Sequence, residues 1–453
     1  MPVDSTATQY DKNLHKWRTV RDCDEGASAI KMRPKGAQGS LGGLAGTAYL
    51  PPPNANDGSA ENKLRYQAYV ERANFVNFVG HTKEGMLGMV FRKACTIELD
   101  PAIDYMVDNA NGDGLSADQM VKDAASDCLL VGRYGLLVDY PSAPMGLTDS
   151  EVRSMNLRAN ILPYPTESII NWRTKTVGGL KKLALVVLQE PTEKVSEDGF
   201  ESETCMYHRV LRMEDGVYVQ NLYDENNELV AYDGDGNIYP RKLDGSLWDE
   251  IPFIFAGSIN NDETVDKAPL YDIAEINISH YRNSADYEES SFLVGQPTPA
   301  LSGLTQSWVE QNMSSGIAFG SRSAILLPEG GSAQLLQANE NQMPLKGMEI
   351  KEQQMVKIGT RIIQDVSGTE TAEFMGGTQE PEFYINKEFY DATIDPQLLM
   401  AQIQLMDRGV IGKQDLRHLM RRANLIDSER TDEDLDGDVE SEDMLFTDEP
   451  EQI

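Results

Sequence analysis

The chain is expected to fold as an α+β protein, and three observations predict it. A β-rich stretch at 160–265 holds several apolar or alternating runs separated by turn residues. Segments of helical period lie on both sides of it, at about 61–130 and 268–425. The 453 residues exceed the size at which one core keeps growing, so two to four structural units are expected.

Taken in order, residues 1–60 read as a flexible arm. KGAQGSLGGLAGTAYLPPPN at 35–54 carries too much Gly and Pro for an element interior. Such a segment is either disordered or ordered only on a neighbouring subunit. Order begins near Glu61, where Tyr66, Tyr69, Ala73, Val76 and Val79 make a helical stripe. Thr82 is placed as the cap of a second helix carrying Met86, Met89 and Val90. After the turn NANGDG at 109–114, Ser116 and Gln119 form a capping-box pattern for a helix reaching about Leu130.

RYGLLVD at 133–139 reads as a buried strand, closed by Tyr140-Pro141. Strands are expected at 180–189, 206–213, 216–222 and 228–232, a meander with a turn at Glu214-Asp215-Gly216. IPFIFA at 251–256 is a last apolar strand. The long helix at 268–296 follows, with Leu270, Ala274, Ile278, Tyr281 and Ala285 on one face and Asn, Asp, Glu, Ser and Arg over the rest. PTPALSG is then extended, TQSWVEQNM opens a helix, and 316–327 is β-like. A helix over 346–365 sets Met348, Met355, Ile358 and Ile362 on one side. Residues 366–381 are a loop rich in Gly, Thr and Glu. Further helices follow at 383–392, at 395–409 (Asp395 as cap, Pro396 at its first position and Gly409 at its end) and at 414–425. No fixed-period repeat is present.

Composition excludes several chemistries. No run approaches the roughly 20 apolar residues that span a bilayer, and MPVDSTATQYDKN does not read as a secretory signal. Cys23, Cys95, Cys128 and Cys205 lack CxxC spacing, so neither a zinc site nor a disulfide framework is expected. There is no GxSxG, and His15, His81, His208, His280 and His418 make no HExxH. GVIGK at 409–413 is too short between its glycines for a phosphate loop and joins two helices. No cofactor is expected. The net charge of −33 opposes a protein that grips nucleic acid through phosphates and does not oppose one that lets DNA pass, but from charge alone the better reading is that acidity keeps the chain soluble. Arg417, Arg421 and Arg422 share one helix, where pairing with the acidic tail is the simpler reading.

The tail at 427–453 holds thirteen acids and one base, Arg430. Asp432, Asp434, Asp436 and Asp443 fall at positions one, three, five and twelve of a calcium-binding loop, with Gly437 at six. The twelfth position wants the longer Glu, and MLFTDEPEQI makes a poor second helix, so no metal site is expected and the tail reads as a solvated acidic segment. Asn109, Asn111, Asp113 and Gly114 imitate the same loop but read as a turn, because Met120 occupies position twelve.

Several blocks together resemble a known family. FRKACTIELDPAIDYMVDNANGDGLSADQM, LLVGRYGLLVDYP and PYPTESIINWR look like the wing region of tailed-phage portal proteins. IPFIFAGSINND, then APLYDIAEINISHYRNSADYEESSFLVGQPTPALSGL, then AILLPEGGSAQLL and MEIKEQQMVKIGTRII follow in that family's order. The resemblance covers about 60–425. It implies a wing at 61–265, stem helices at 266–294 and 345–365, a small α/β clip at 295–344, a tunnel loop at 366–381 and crown helices at 382–426. The arm and the tail have no counterpart in it.

What the resemblance further implies is a homo-oligomer, usually a dodecamer, at a unique capsid vertex of the virion, assembled in the host cytoplasm. Its partners would be the major capsid protein, terminase, a head–tail adaptor and double-stranded DNA passing non-specifically, with no membrane. Asp272, Glu275, Asp286, Glu288 and Glu289 are then expected to present carboxylates to the channel, where rings of them would repel phosphate. Phe374 and Met375 would brush the duplex, with Gly376 and Gly377 giving the loop backbone freedom. No catalytic residue is expected. A calcium-responsive acidic binding protein and a phage-encoded hydrolase are the competing classes, the latter needing a convergent pocket that the sequence does not display.

Overall fold

The computed structural model describes residues 2–36, 41, 43–93, 95–140, 154, 157–196, 198–230, 236–242, 245–295, 298–312, 327–336, 342–365 and 382–384, with Gln414, Arg417 and Met420 beyond. The chain divides into two compact units, one of Met1–Gly88 with Ile97–Phe383 and one of Met89–Thr96 with Tyr384–Ile453. Most of the second lies outside the described residues, as do the loop at 366–381 and the tail at 427–453. Expectations for Phe374, Met375, Gly376, Gly377, Asp432, Asp434, Asp436 and Asp443 therefore lie outside them too. So do the β-like run at 316–326 and nearly all of the helices expected after 382. The first unit is α+β, as expected.

The reading of 1–60 as an arm is corrected. Helix α1 (Thr8–Glu25) and helix α2 (Ala27–Met32) occupy its first half. Tyr10, Trp17, Val20, Cys23 and Ile30 are buried, the last three completely. Gly26, at φ 99°, ends α1 where a side chain would be strained. Asp22, 1% exposed, is held by Arg33 and by the hydroxyl of Tyr49, which donates at 2.5 Å. Leu41, Tyr49 and Leu50, from the stretch read as too rich in Gly and Pro for an element interior, are also buried.

Helix α3 (Ala60–Arg72) starts at Ser59, whose hydroxyl accepts from Asn62 N, and stops at Ala73. Tyr66, Tyr69 and Ala73 are buried as expected, whereas Val76 is exposed in the break that follows. Helix α4 (Phe78–Val90) begins earlier than Thr82. Asn77 is its cap, its Oδ1 accepting from Gly80 N at 2.7 Å, and Thr82 donates back to Phe78 O within the first turn. After strand β1 (Thr96–Glu98), the 109–115 segment is a turn: Asn109 Oδ1 accepts from Gly112 and Gly114, and Asn111 Oδ1 from Asp113 and Leu115. Helix α5 (Ala117–Val131) opens on Ser116, which accepts from Gln119 N, and closes at Gly132 in the left-handed region.

Two antiparallel sheets follow. Strand β2 (Arg133–Asp139) is central to the first, between β3 (Asn160–Pro165) and β8 (Phe253–Gly257). The second is a meander of β4 (Ile169–Val177), β5 (Leu180–Val195), β6 (Ser202–Glu214) and β7 (Val217–Tyr223); the last three strands were expected, and β4 was not. Asp215 and Gly216, both at positive φ, form the two-residue turn between β6 and β7, the geometry that matches strand twist. The strand expected at 228–232 is reduced, among the described residues, to a single bridge between Tyr223 and Leu229. At the start of β2 the Arg133 guanidinium lies between Trp172 and Phe255, at 4.0 and 3.8 Å from the ring centres. It is 1% exposed, and burial pushes its pKa down to about 9. The two ring faces replace part of its lost hydration.

The rest of the unit is helix α6 (Tyr271–Gly295), strand β9 (Thr298–Ser302), helix α7 (Gln306–Asn312), strand β10 (Ser332–Leu336) and helix α8 (Met343–Asp365). Strands β9 and β10 pair antiparallel as a two-stranded sheet. Helices α6 and α8 pack along one another.

Candidate functional site

Helix α6 organises its surroundings. Ala274, Ile278, Tyr281 and Ala285 are buried, as their spacing predicts, together with Leu270 just ahead of the helix. Three polar residues share that face: Asn277 and Ser284 meet backbone groups, and His280 meets a carboxylate. Asn277 accepts from Phe78 N and donates to Val76 O, satisfying the break between α3 and α4. The Ser284 hydroxyl accepts from Asn74 N at 2.8 Å. His280 lies edge-on to Phe78 and within 3.2 Å of Glu352 on α8. Helix α1 closes the other side, where the Cys23 thiol reaches Ala274 O. Burial and the adjacent Asp22 and Asp24 push that thiol well above its ordinary range, which disfavours the thiolate.

The five carboxylates expected to face a channel separate into two groups. Glu288 accepts from Asn74 Nδ2 at 3.1 Å, and Glu289 pairs with Arg72, its side chain only 19% exposed. Arg72 also lies over the Phe292 ring at 4.3 Å. Glu289 joins α6 to α3, and Glu288 joins it to the segment that follows α3. Asp286 accepts from the Tyr69 hydroxyl at 2.6 Å yet remains exposed; burial and that carboxylate together push the Tyr69 pKa up. Asp272 and Glu275 are open to solvent. Asp272 pairs with Lys267, both side chains more than half exposed, and Glu275 accepts from the Tyr271 hydroxyl. Burial and Glu275 raise Tyr271 to about 12.

Facing them in chemistry is a feature that the sequence reading passed over. On α8 the apolar side is half-buried or buried at Met348, Met355, Ile358 and Ile362. The opposite side exposes Lys346, Ile350, Gln353, Lys357 and Arg361. Steps of four, three, four and four residues make one stripe along a helix, so the spacing alone could have revealed it. None of the three cations forms an ion pair with a described residue.

Two hollows lie at the surface of the unit, and neither carries the groups of a reaction site. One, about 320 Å³, is lined by Tyr287, Ser290, Ser291 and Gln342, which offer hydroxyls and an amide but no base beside them. The other, about 500 Å³, holds Arg21 with Asp127 and Glu167. Arg21 binds Asp127 through two nitrogens at 2.7 and 2.8 Å and Glu167 at 2.9 and 3.0 Å. Both carboxylates are thereby committed to joining α1, α5 and the 166–168 turn. Among the described residues no cluster of His, Cys, Asp or Glu could hold a metal ion. No helix among them is long and apolar enough to cross a membrane.

Residues 269–382 match a family described as a domain of unknown function, DUF4055. That span runs from the start of α6 through α8 and covers less than half of the chain. No curated protein matches. Among solved structures, a chain from the virion of a native gene transfer agent particle is 12% identical, with 76% of this chain and 89% of that one covered and a TM-score of 0.37. A chain from the neck of the native particle, computed with C12 symmetry, is 11% identical over 76% and 89%, with a TM-score of 0.35. One from the neck of the empty particle, computed with C6 symmetry, is 12% identical over 76% and 90%, also at 0.35. At such scores these likenesses decide neither fold nor role.

Proposed function

We propose that this chain is a ring-forming portal subunit of a tailed-phage type of particle. One observation carries the reading: the order long acidic helix, strand, short helix, strand, long helix, from α6 to α8, with the two long helices packed together and the two strands paired. This is the order of stem, clip and stem in the family whose sequence blocks this chain resembles. In that role the ring sits at a capsid vertex, probes passing DNA with the loop at 366–381, and docks terminase and head–tail adaptor proteins. The net charge of −33, repeated around a ring, keeps phosphate from adhering to the channel wall. With Glu288 engaged by Asn74 and Glu289 by Arg72, repulsion rests on that summed field more than on any one carboxylate of α6. The motor that hydrolyses nucleotide is a separate protein in this account.

The test is the mass of the purified chain in solution across a wide concentration range. The proposal expects a large closed oligomer. A monodisperse monomer at every concentration would sink it.

A further inference from the structure

Two stripes of opposite charge run along the two long helices, and they have the same spacing. On α6 the exposed acids are Asp272, Glu275 and Asp286; on α8 the exposed cations are Lys346, Lys357 and Arg361. Eleven residues separate Glu275 from Asp286, and eleven separate Lys346 from Lys357, about 16 Å of helix in each case. Asp272 lies three residues beyond Glu275, and Arg361 four beyond Lys357. Laid antiparallel, Asp286 meets Lys346, Glu275 meets Lys357, and Asp272 meets Arg361.

The remaining charges agree with that alignment. Arg282, exposed between the acids, donates its Nε to Tyr49 O and falls level with Ile350, beside the exposed Glu349. Ile350 itself is 56% exposed, an apolar residue at the centre of a charged stripe. Within one chain the stripes do not meet. Helices α6 and α8 pack through other faces, where His280 reaches Glu352 and Gly347 lies close against Asn283.

Resting on the ring reading above, we propose that the α6 acids of one subunit bind the α8 cations of a second copy of this chain. The two surfaces are different patches of one molecule, so the contact is heterologous. Repeated by rotation, such a contact closes a ring. It gives Asp272, Glu275 and Asp286 an intersubunit partner beside Lys267, Tyr271 and Tyr69, in place of the channel-facing role that the family resemblance implied.

The experiment follows assembly of the full chain by mass at low and high salt. The triple variant Lys346→Glu, Lys357→Glu, Arg361→Glu should raise the half-assembly concentration at least about tenfold, or about 1.4 kcal/mol. Asp272→Lys with Glu275→Lys should do the same; Asp286 is left in place because it also serves Tyr69. All five changes together restore most of the complementarity and should recover assembly to near the wild-type level. High salt should weaken wild-type assembly in the same direction. Unchanged helical circular dichroism in each variant excludes misfolding as the cause. Wild-type assembly by the triple variant, or no recovery in the five-site variant, overturns the contact and leaves the ring reading standing. A wild-type chain that never assembles overturns both.

Discussion

Replacing Trp17 by alanine distinguishes a structural N-terminal helix from a dispensable arm. Trp17 is 1% exposed and packs edge-on against Tyr10 at 5.6 Å between ring centres. Truncating a buried tryptophan to alanine costs about 3–5 kcal/mol, the transfer of its apolar atoms plus the cavity left behind. The lost edge-on pair is part of that figure, about 0.5–1.5 kcal/mol of it. In a unit of this size the change should lower the melting temperature by roughly 5 °C or more. Differential scanning calorimetry at fixed protein concentration reads it directly. Limited proteolysis should show earlier cleavage within α1, because Arg21 would be held less firmly on Asp127 and Glu167. A melting temperature unchanged within a degree, with no new cleavage, would refute the reasoning and return residues 8–32 to the status of an arm.

Gly257→Ala should destabilise by about 1–3 kcal/mol, since a Cβ there strikes Asn260 O and the Asp266 carboxylate; chemical denaturation measures it, and a neutral result would mean the 258–266 turn shifts freely. Tyr69→Phe should cost about 1 kcal/mol, through the lost bond to Asp286, and is read by thermal unfolding. The pH dependence follows from His208, 5% exposed, whose pKa burial holds below 6.5. A folded-state value below the unfolded one favours the neutral ring in the fold. That stability is fully present above pH 6.5 and is lost as pH falls from there through the folded value. His208→Gln should flatten this part of the stability profile, and an identical profile in the variant would remove the assignment.

Much of the fold was legible because the decisive signals are local. The α6 stripe has a strict helical period, Ser116 and Gln119 sit three apart, and Asp215-Gly216 supplies the positive φ that a tight hairpin needs. Helix α1 was missed for a physical reason: its buried face includes Asp22, which a sequence scan takes for a surface residue. Only Arg33 and Tyr49, brought over by the chain at 33–50, make that burial tolerable. The start of α4 was misplaced because Asn77 and Thr82 are both acceptable caps, and the choice falls on the residue beside the Asn277 contact. At the candidate site, composition located the acids but not their partners. Tyr69, Arg72 and Asn74 lie more than two hundred residues from Asp286, Glu289 and Glu288, so their pairing is a property of the packed helices alone.

Electron micrographs of the purified chain show whether it forms rings. A portal subunit should give class averages of closed rings with a central opening wide enough for a DNA duplex. Uniform single particles of about 50.3 kDa, with no ring under any salt or concentration, would contradict it.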